Sequence, residues 1–313
     1  MKENLKCAPN KRFSNKSCFS LDQLKKISIS FNNAIKKNKI NNKKIKLNLI
    51  TIKDDKRYLV QELSSRLEKV CDDQICWLKQ KFIKDLKDKD LLKDTFRPEG
   101  PLSQFEWLNT LHIDTVMNQY HKKYKNFKFY GAVPIDFDNL SYLKIKKIDY
   151  EQLYKDGIHQ IGFIFNLDES WKSGSHWVAL YANLNKEQIY FFDSYGTRPE
   201  KRIRTLIKRI GKWIYKKNFC NSDKCSVDEI DDNVSFLGKT KNKIENKFDI
   251  EYNRNRHQYK NSECGVYSLN FILRLLNGHS FNDITKNKVL DDEINKCRDI
   301  YFTFRGGKNP IYK

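Results

Sequence analysis

The sequence predicts an α+β fold: a core with a mixed sheet between helices, preceded by a helical extension. Three observations predict it. Strand-like runs rich in aromatic and β-branched residues occupy 159–166, 175–184, 188–194 and 248–253. Helical patterns fall among and after them without regular alternation, at about 200–216, 264–276 and 286–303. Ahead of these, Leu59, Val60, Leu63, Leu67, Val70, Ile75, Leu78, Phe82 and Leu86 form an amphipathic stripe across 55–88. Pro98 and Pro101 mark a joint, so residues 1–90 read as the extension and 91–313 as the core. The stripe must pack on something, and the core is its expected partner. A long polar stretch at about 217–250 reads as an insertion.

The extension is strongly basic. Residues 1–50 hold 13 Lys and Arg against two acids, Glu3 and Asp22, which is about half of the chain's net charge of +21. From Lys36 to Lys46 the text approaches low complexity. The plain reading is a solvated flexible segment. The sharper reading is non-specific nucleic-acid contact through phosphates. No base-reading motif accompanies it, and abundant Lys, Asn and Ile also fit an AT-rich genome. With 313 residues, 39% hydrophobic and 13% aromatic, the chain can bury a sizeable core.

Met1 to Lys6 leads into no apolar run, and no stretch approaches the roughly 18 apolar residues of a membrane span. No signal peptide, transmembrane segment or membrane partner is therefore expected. A reducing compartment is the default, so the eight cysteines are expected as thiols. Cys71-x4-Cys76 and Cys220-x4-Cys225 are too loosely spaced, and lack the turn glycines, for a convincing zinc site. No metal is expected.

Two of the strands form a hairpin. Asn183 to Glu187 suits the turn between them. Opposed residues in an antiparallel pair have a constant index sum, here near 370, and His176 and Asp193 add to 369. The hairpin therefore places them roughly opposite each other. An imidazole beside a carboxylate is held in one tautomer, and its cation is stabilised. Taken singly, His176 is a strand-end surface residue and Asp193 a strand terminator. The register joins them. His257 is the rival base, read as a solvated loop residue. His112, His121, His159 and His279 lack a comparable acid partner by pattern.

Cys264 opens an apolar helix in which Val266, Leu269, Phe271, Ile272, Leu273, Leu275 and Leu276 are the buried positions. Asn277-Gly278 stops it. The partial positive charge of a helix N-terminus favours thiolate, the reactive form. Gly265 leaves the flank of the cysteine open. Gln258, six residues earlier, can fold its amide back over the helix start. That amide and the Cys264 N–H would then face one oxyanion. A lone cysteine on an apolar helix is more often core packing. The accompanying base, orienter and amide donor favour a nucleophile.

The order His176, Asp193, Gln258, Cys264, with His-Trp at 176–177 and Gln-x5-Cys-Gly at 258–265, resembles the SUMO/ubiquitin-like-specific proteases and the adenovirus-type cysteine proteases. The flanking text resembles their large-DNA-virus branch: Asp94 to Pro101, Trp107 to Asn109, Ile113-Asp114, and Val133 to Phe137. The resemblance covers roughly 95–305, with 217–250 departing from it. It implies an adenain-like core with a helical arm before it. It also implies His176, Asp193 and Cys264 as a catalytic triad with Gln258 as oxyanion donor. Trp177 then roofs a slot narrow enough to prefer Gly at both positions before the cut. Trp107 and Asn109 would lie in the substrate-facing segment, against plain helix packing.

The expected activity is that of a cysteine endopeptidase, a thiol protease, acting after Gly-Gly-type sites without metal or organic cofactor. Three functions follow. The first is maturation of viral core or capsid polyproteins, in the virion and at assembly sites in the host cytoplasm. The second is deconjugation of SUMO or another ubiquitin-like protein. The third is a non-catalytic nucleic-acid-binding or scaffold role, which the intact four-residue set disfavours. Gly306-Gly307 reads as a turn, with self-cleavage as the sharper alternative.

Overall fold

The structure, a computed structural model, describes residues 6–37, 40, 45–86, 88, 90–219 and 249–303. Nearly all of the expected insertion, most of the low-complexity run and Gly306-Gly307 lie outside the described residues. The chain forms two units. One runs up to Leu102 and includes the segment from Asp299; the other is Ser103–Arg298.

The first unit is helical. Helix α1 (Leu21–Lys36) starts at a capping box between Ser20 and Gln23. Helix α2 (Lys56–Leu67) is capped by Asp55 and helix α3 (Gln74–Lys79) by Asp73. A 3-10 turn at Lys81–Leu86 and helix α4 (Leu91–Thr95) follow. The single helix expected over 55–88 is therefore broken. Asp73 caps a new start, and a disulfide between Cys71 and Cys76 closes the bend. The stripe does not need the core as its partner. Leu59, Leu63, Leu67 and Trp77 share a cluster with Leu24, Ile27 and Phe31 of α1. Helix α1 lies within the basic segment, and its buried apolar face overrides the surrounding lysines. Cys7 and Cys18 form a second disulfide. Four cysteines expected as thiols are thus cross-links, and half of the zinc set weighed from the sequence is a bond.

The second unit is α+β with a mixed sheet. Its elements are α5 (Thr110–Lys123), β1 (Phe127–Pro134), α6 (Tyr150–Lys155), β2 (Gln160–Asn166), β3 (Trp177–Asn183), β4 (Gln188–Phe192), α7 (Lys201–Phe219), β5 (Asp249–Tyr252) and α8 (Cys264–Leu276). Short helices α9 (Phe281–Lys286) and α10 (Asp291–Lys296) follow, and α11 (Arg298–Tyr301) ends the described elements. The strands lie in sequence order. The outer pairs β1–β2 and β4–β5 are parallel; β2–β3 and β3–β4 are antiparallel.

Strand β3 is buried along its whole length. Val178, Leu180 and Ala182 share a cluster with Ile203, Leu206, Ile207, Ile210 and Ile214 of α7. Helix α8 packs against β3 as well, so helices flank the sheet. Truncating the fully buried Ile210 to Ala should cost about 2–5 kcal/mol.

Two expectations fail here. Strand β1 has no counterpart among the expected strands. Gly131 at φ +112 and a register shift between Phe129 and Ala132 interrupt its alternation. The helix expected over 286–303 is instead α10 and α11, because Asn287 ends α9 and Leu290 is extended. Among the described residues, no helix is long and apolar enough to cross a membrane.

Candidate active site

The β3–β4 hairpin brings His176 and Asp193 together. Ala179 faces Phe192 and Asn183 faces Gln188, a register one residue from the expected one. His176 directly precedes β3 and Asp193 directly follows β4, so both emerge at the same end of the hairpin. The His176 Nε2–H donates to Asp193 Oδ1 at 2.6 Å. Before His176, the Asn166 side-chain oxygen Oδ1 accepts from the N–H groups of Asp168 and Ser175 at 3.0 and 3.2 Å. Gly174 sits at φ +93, and a Cβ there would come within 2.7 Å of Asn166 Nδ2, so this approach requires glycine.

Asp193 is held by its backbone as well. Asn253 accepts from the Asp193 N–H at 2.8 Å and donates Nδ2–H to the Asp193 carbonyl at 2.6 Å. The Tyr195 N–H donates to Asp193 Oδ1 at 2.9 Å, and the Tyr195 ring stacks on His176 at 4.6 Å.

Cys264 is the first residue of α8 and is 3% exposed. The first N–H groups of a helix have no intrahelical partner and point out of its N-terminus. Glu263 before it is fully buried and caps nothing. Its carboxylate accepts from the Ser262 N–H and hydroxyl and from Asn295 Nδ2. Buried Arg298 donates to the Ser262 carbonyl at 3.0 Å. The chain entering the helix is thereby fixed from both sides.

Gln258 is fully buried between the two halves of the site. The Ser194 hydroxyl donates to its Oε1 at 2.6 Å, and its Nε2 donates to the Lys260 carbonyl at 2.7 Å. A primary amide has two N–H groups, so one remains. The N–H groups of His257 and Gln258 both donate to the Ser194 carbonyl, and those of Tyr259 and Lys260 to the Asp291 carboxylate. These bonds tie the Asp193 loop to the loop leading into Cys264.

Burial alone would lower the pKa of His176, but its hydrogen bonds to Asp193 and Cys264 outweigh it and raise it to about 9. With Nε2 on Asp193, Nδ1 is the nitrogen left for Cys264. The imidazole is consequently charged at neutral pH. His257 is 2% exposed, not a solvated loop residue. It lies edge-on to Phe192 at 5.2 Å, and burial lowers its pKa, which leaves it a neutral core residue.

Trp177 is buried, and its Nε1–H donates to the Leu108 carbonyl at 2.8 Å. Gly265 packs on Leu108: a Cβ at 265 would meet Leu108 Cβ at 3.0 Å. Residues 107–109 are thus pinned beside the cysteine helix. Trp107 is 47% exposed, whereas the Asn109 oxygen is engaged in capping α5 through the His112 N–H. Sequence reading missed Asn253, Ser194, Tyr195, Asp291 and Glu263. No spacing rule singles them out; only Ser194 and Tyr195, directly after Asp193, and Glu263, directly before Cys264, lay within reach of a local signal. Among the described residues, no group of three or more His, Cys, Asp or Glu is placed to hold a metal ion.

Residues 106–307 match the Ulp1 protease family, C-terminal catalytic domain. A thiol protease of Acanthamoeba polyphaga mimivirus is 38% identical over 308 residues, spanning 96% of this chain and 93% of that protein. A SUMO-1 cysteine protease of African swine fever virus is 25% identical over 280 residues, 81% of this chain and 93% of its own length. The crystal structure of an African swine fever virus protease shares the fold, with a TM-score of 0.62 and 21% identity across 96% of both chains. The chain belongs to the Ulp1 protease family and is a cysteine protease.

Proposed function

We propose that the enzyme is an endopeptidase acting after Gly-Gly-type sites through Cys264, His176 and Asp193. The observation that carries this reading is the imidazole held between Asp193 and Cys264. The Cys264 thiolate attacks the carbonyl at the cut. The free Gln258 N–H and the backbone N–H groups at the start of α8 stabilise the oxyanion. Protonated His176 gives its proton to the leaving amine, and the neutral imidazole then activates water to release the acyl group. Trp177 roofs the slot for the two glycines, supported by the bond from its indole to Leu108. Trp107 faces the substrate from the same pinned segment. Asn109 shapes that segment as a helix cap.

Purified protein incubated with Gly-Gly-X and Ala-Ala-X peptides tests this. Steep preference for Gly at both positions is expected, and equal turnover would refute the slot. The substrates proposed are viral core or capsid polyproteins, cut in virions and host cytoplasm, because the relatives come from large DNA viruses. Deconjugation of a ubiquitin-like protein is the second reading, favoured by the name of the African swine fever virus relative. Side-by-side cleavage of a structural precursor and a SUMO fusion separates them. We also propose residues 1–90 as an arm whose basic charge contacts nucleic acid. Retention on DNA that falls steeply with salt would support this.

A further inference from the structure

We propose that Tyr195, Arg256 and Tyr259 form a subsite on the leaving-group side of the cut, in which Arg256 selects an acidic substrate residue. This rests on the peptidase reading above. Tyr195 is placed by the catalytic pair itself. Its N–H donates to the same Asp193 oxygen that accepts from His176, and its ring lies within 17° of parallel to the imidazole. Arg256 continues the stack. Its guanidinium carbon is 5.2 Å from the centre of the Tyr195 ring and 4.9 Å from that of Tyr259. Its Nε–H donates to the Gln258 carbonyl at 2.7 Å.

Two rings and a carbonyl therefore fix a guanidinium that is exposed to solvent. Among the described residues it has no carboxylate partner. A long side chain normally loses rotamer freedom when it binds; here most of that ordering precedes the ligand. The guanidinium also stands one ring away from an imidazole that carries positive charge. Two cations flanking one tyrosine attract an anion more than either does alone.

The chemistry fixes which part of the substrate arrives there. His176 must reach the leaving amine to protonate it. The residues just after the cut consequently pass beside the imidazole, where Tyr195 and Arg256 stand. A carboxylate there meets the planar N–H edge of Arg256, and an ammonium meets repulsion. Tyr195 and Tyr259 are themselves 39% and 58% exposed, so the stack is open to a bound chain.

The test uses matched peptides carrying Glu, Gln or Lys after Gly-Gly, with wild type, Arg256→Gln and Arg256→Glu. Wild type should prefer Glu to Lys by about tenfold in kcat/KM, the size of a few exposed charge contacts. Arg256→Gln should flatten the preference, and Arg256→Glu should invert it. No preference in wild type, or the same preference in Arg256→Glu, would overturn the proposal. A second measurement needs no substrate: the rate at which iodoacetate labels Cys264, relative to neutral iodoacetamide. That ratio should fall several-fold in Arg256→Gln, and an unchanged ratio would overturn the placement of the cation. If the ratio falls but no peptide is cleaved by wild type, the anion-selective rim stands and the peptidase reading fails.

Discussion

In the N-terminal unit cysteines face one another; in the catalytic unit Cys264 faces His176. Cys7–Cys18 and Cys71–Cys76 are cross-links, whereas Cys264 forms no disulfide among the described residues. The difference follows from how each unit is built. The N-terminal unit consists of helices around one buried cluster, and its disulfides tie the segment before α1 and the bend before α3. The catalytic unit buries a five-stranded sheet between helices, and among its described residues no disulfide is present. Its Cys264 opens α8, and buried polar side chains fix the chain that enters that helix. One residue type thus has two uses, decided by neighbours that the spacing of cysteines alone does not reveal.

The largest effect expected is from Cys264→Ser. It should abolish peptide cleavage, by on the order of 10⁴-fold or more, while circular dichroism remains unchanged. Residual activity near wild type would break the contrast between the two classes of cysteine.

Asp193→Asn should come next, with a loss on the order of 10²–10⁴-fold in kcat. It should also move the pH profile. The raised pKa of His176 means that the imidazolium persists up to about pH 9 in the folded enzyme. Its contribution to stability is fully present below the unfolded value of about 6.5 and is lost as pH rises through about 9. The alkaline limb of activity should lie near pH 9 and fall towards neutrality in the Asn variant. A limb near 6.5 in wild type would show that Asp193 and Cys264 do not stabilise the cation.

Reducing agent should act on the N-terminal unit. Breaking each disulfide should destabilise the N-terminal unit by about 2–4 kcal/mol. Hydrogen exchange should then accelerate in α1 and α2 and stay constant in β2 to β4. Equal acceleration in both units would contradict their separate construction.

Asn253→Ala should have the smallest effect. It removes two bonds to the Asp193 backbone and should cost about 1–3 kcal/mol of stability. A modest fall in kcat with little change in KM is expected, because Asn253 touches Asp193 and not the substrate.

Much of the site was legible in the sequence because it is written locally. His176 and Asp193 are joined by one hairpin, whose register follows from a four-residue turn. Cys264 and Gln258 are six residues apart at a helix start. The α+β class followed from strand runs that alternation and β-branching mark clearly. What was not legible depends on contacts across the chain. Asn253 reaches Asp193 over 60 residues, and Asp291 reaches Tyr259 over 32. No periodicity encodes such a pair. The N-terminal stripe was visible, but its partner α1 was hidden in a lysine-rich segment whose charge masked four buried apolar positions. Cysteine pairing was missed because cellular compartment, not geometry, was used to decide it.

The nucleophile is tested by trapping the enzyme with a peptide ending in Gly-Gly and an electrophile, and mapping the adduct by mass spectrometry. One adduct is expected, on Cys264, that is lost in Cys264→Ser and forms far more slowly in His176→Ala. An adduct on Cys297 instead, or labelling of Cys264 at an unchanged rate without His176, would contradict it.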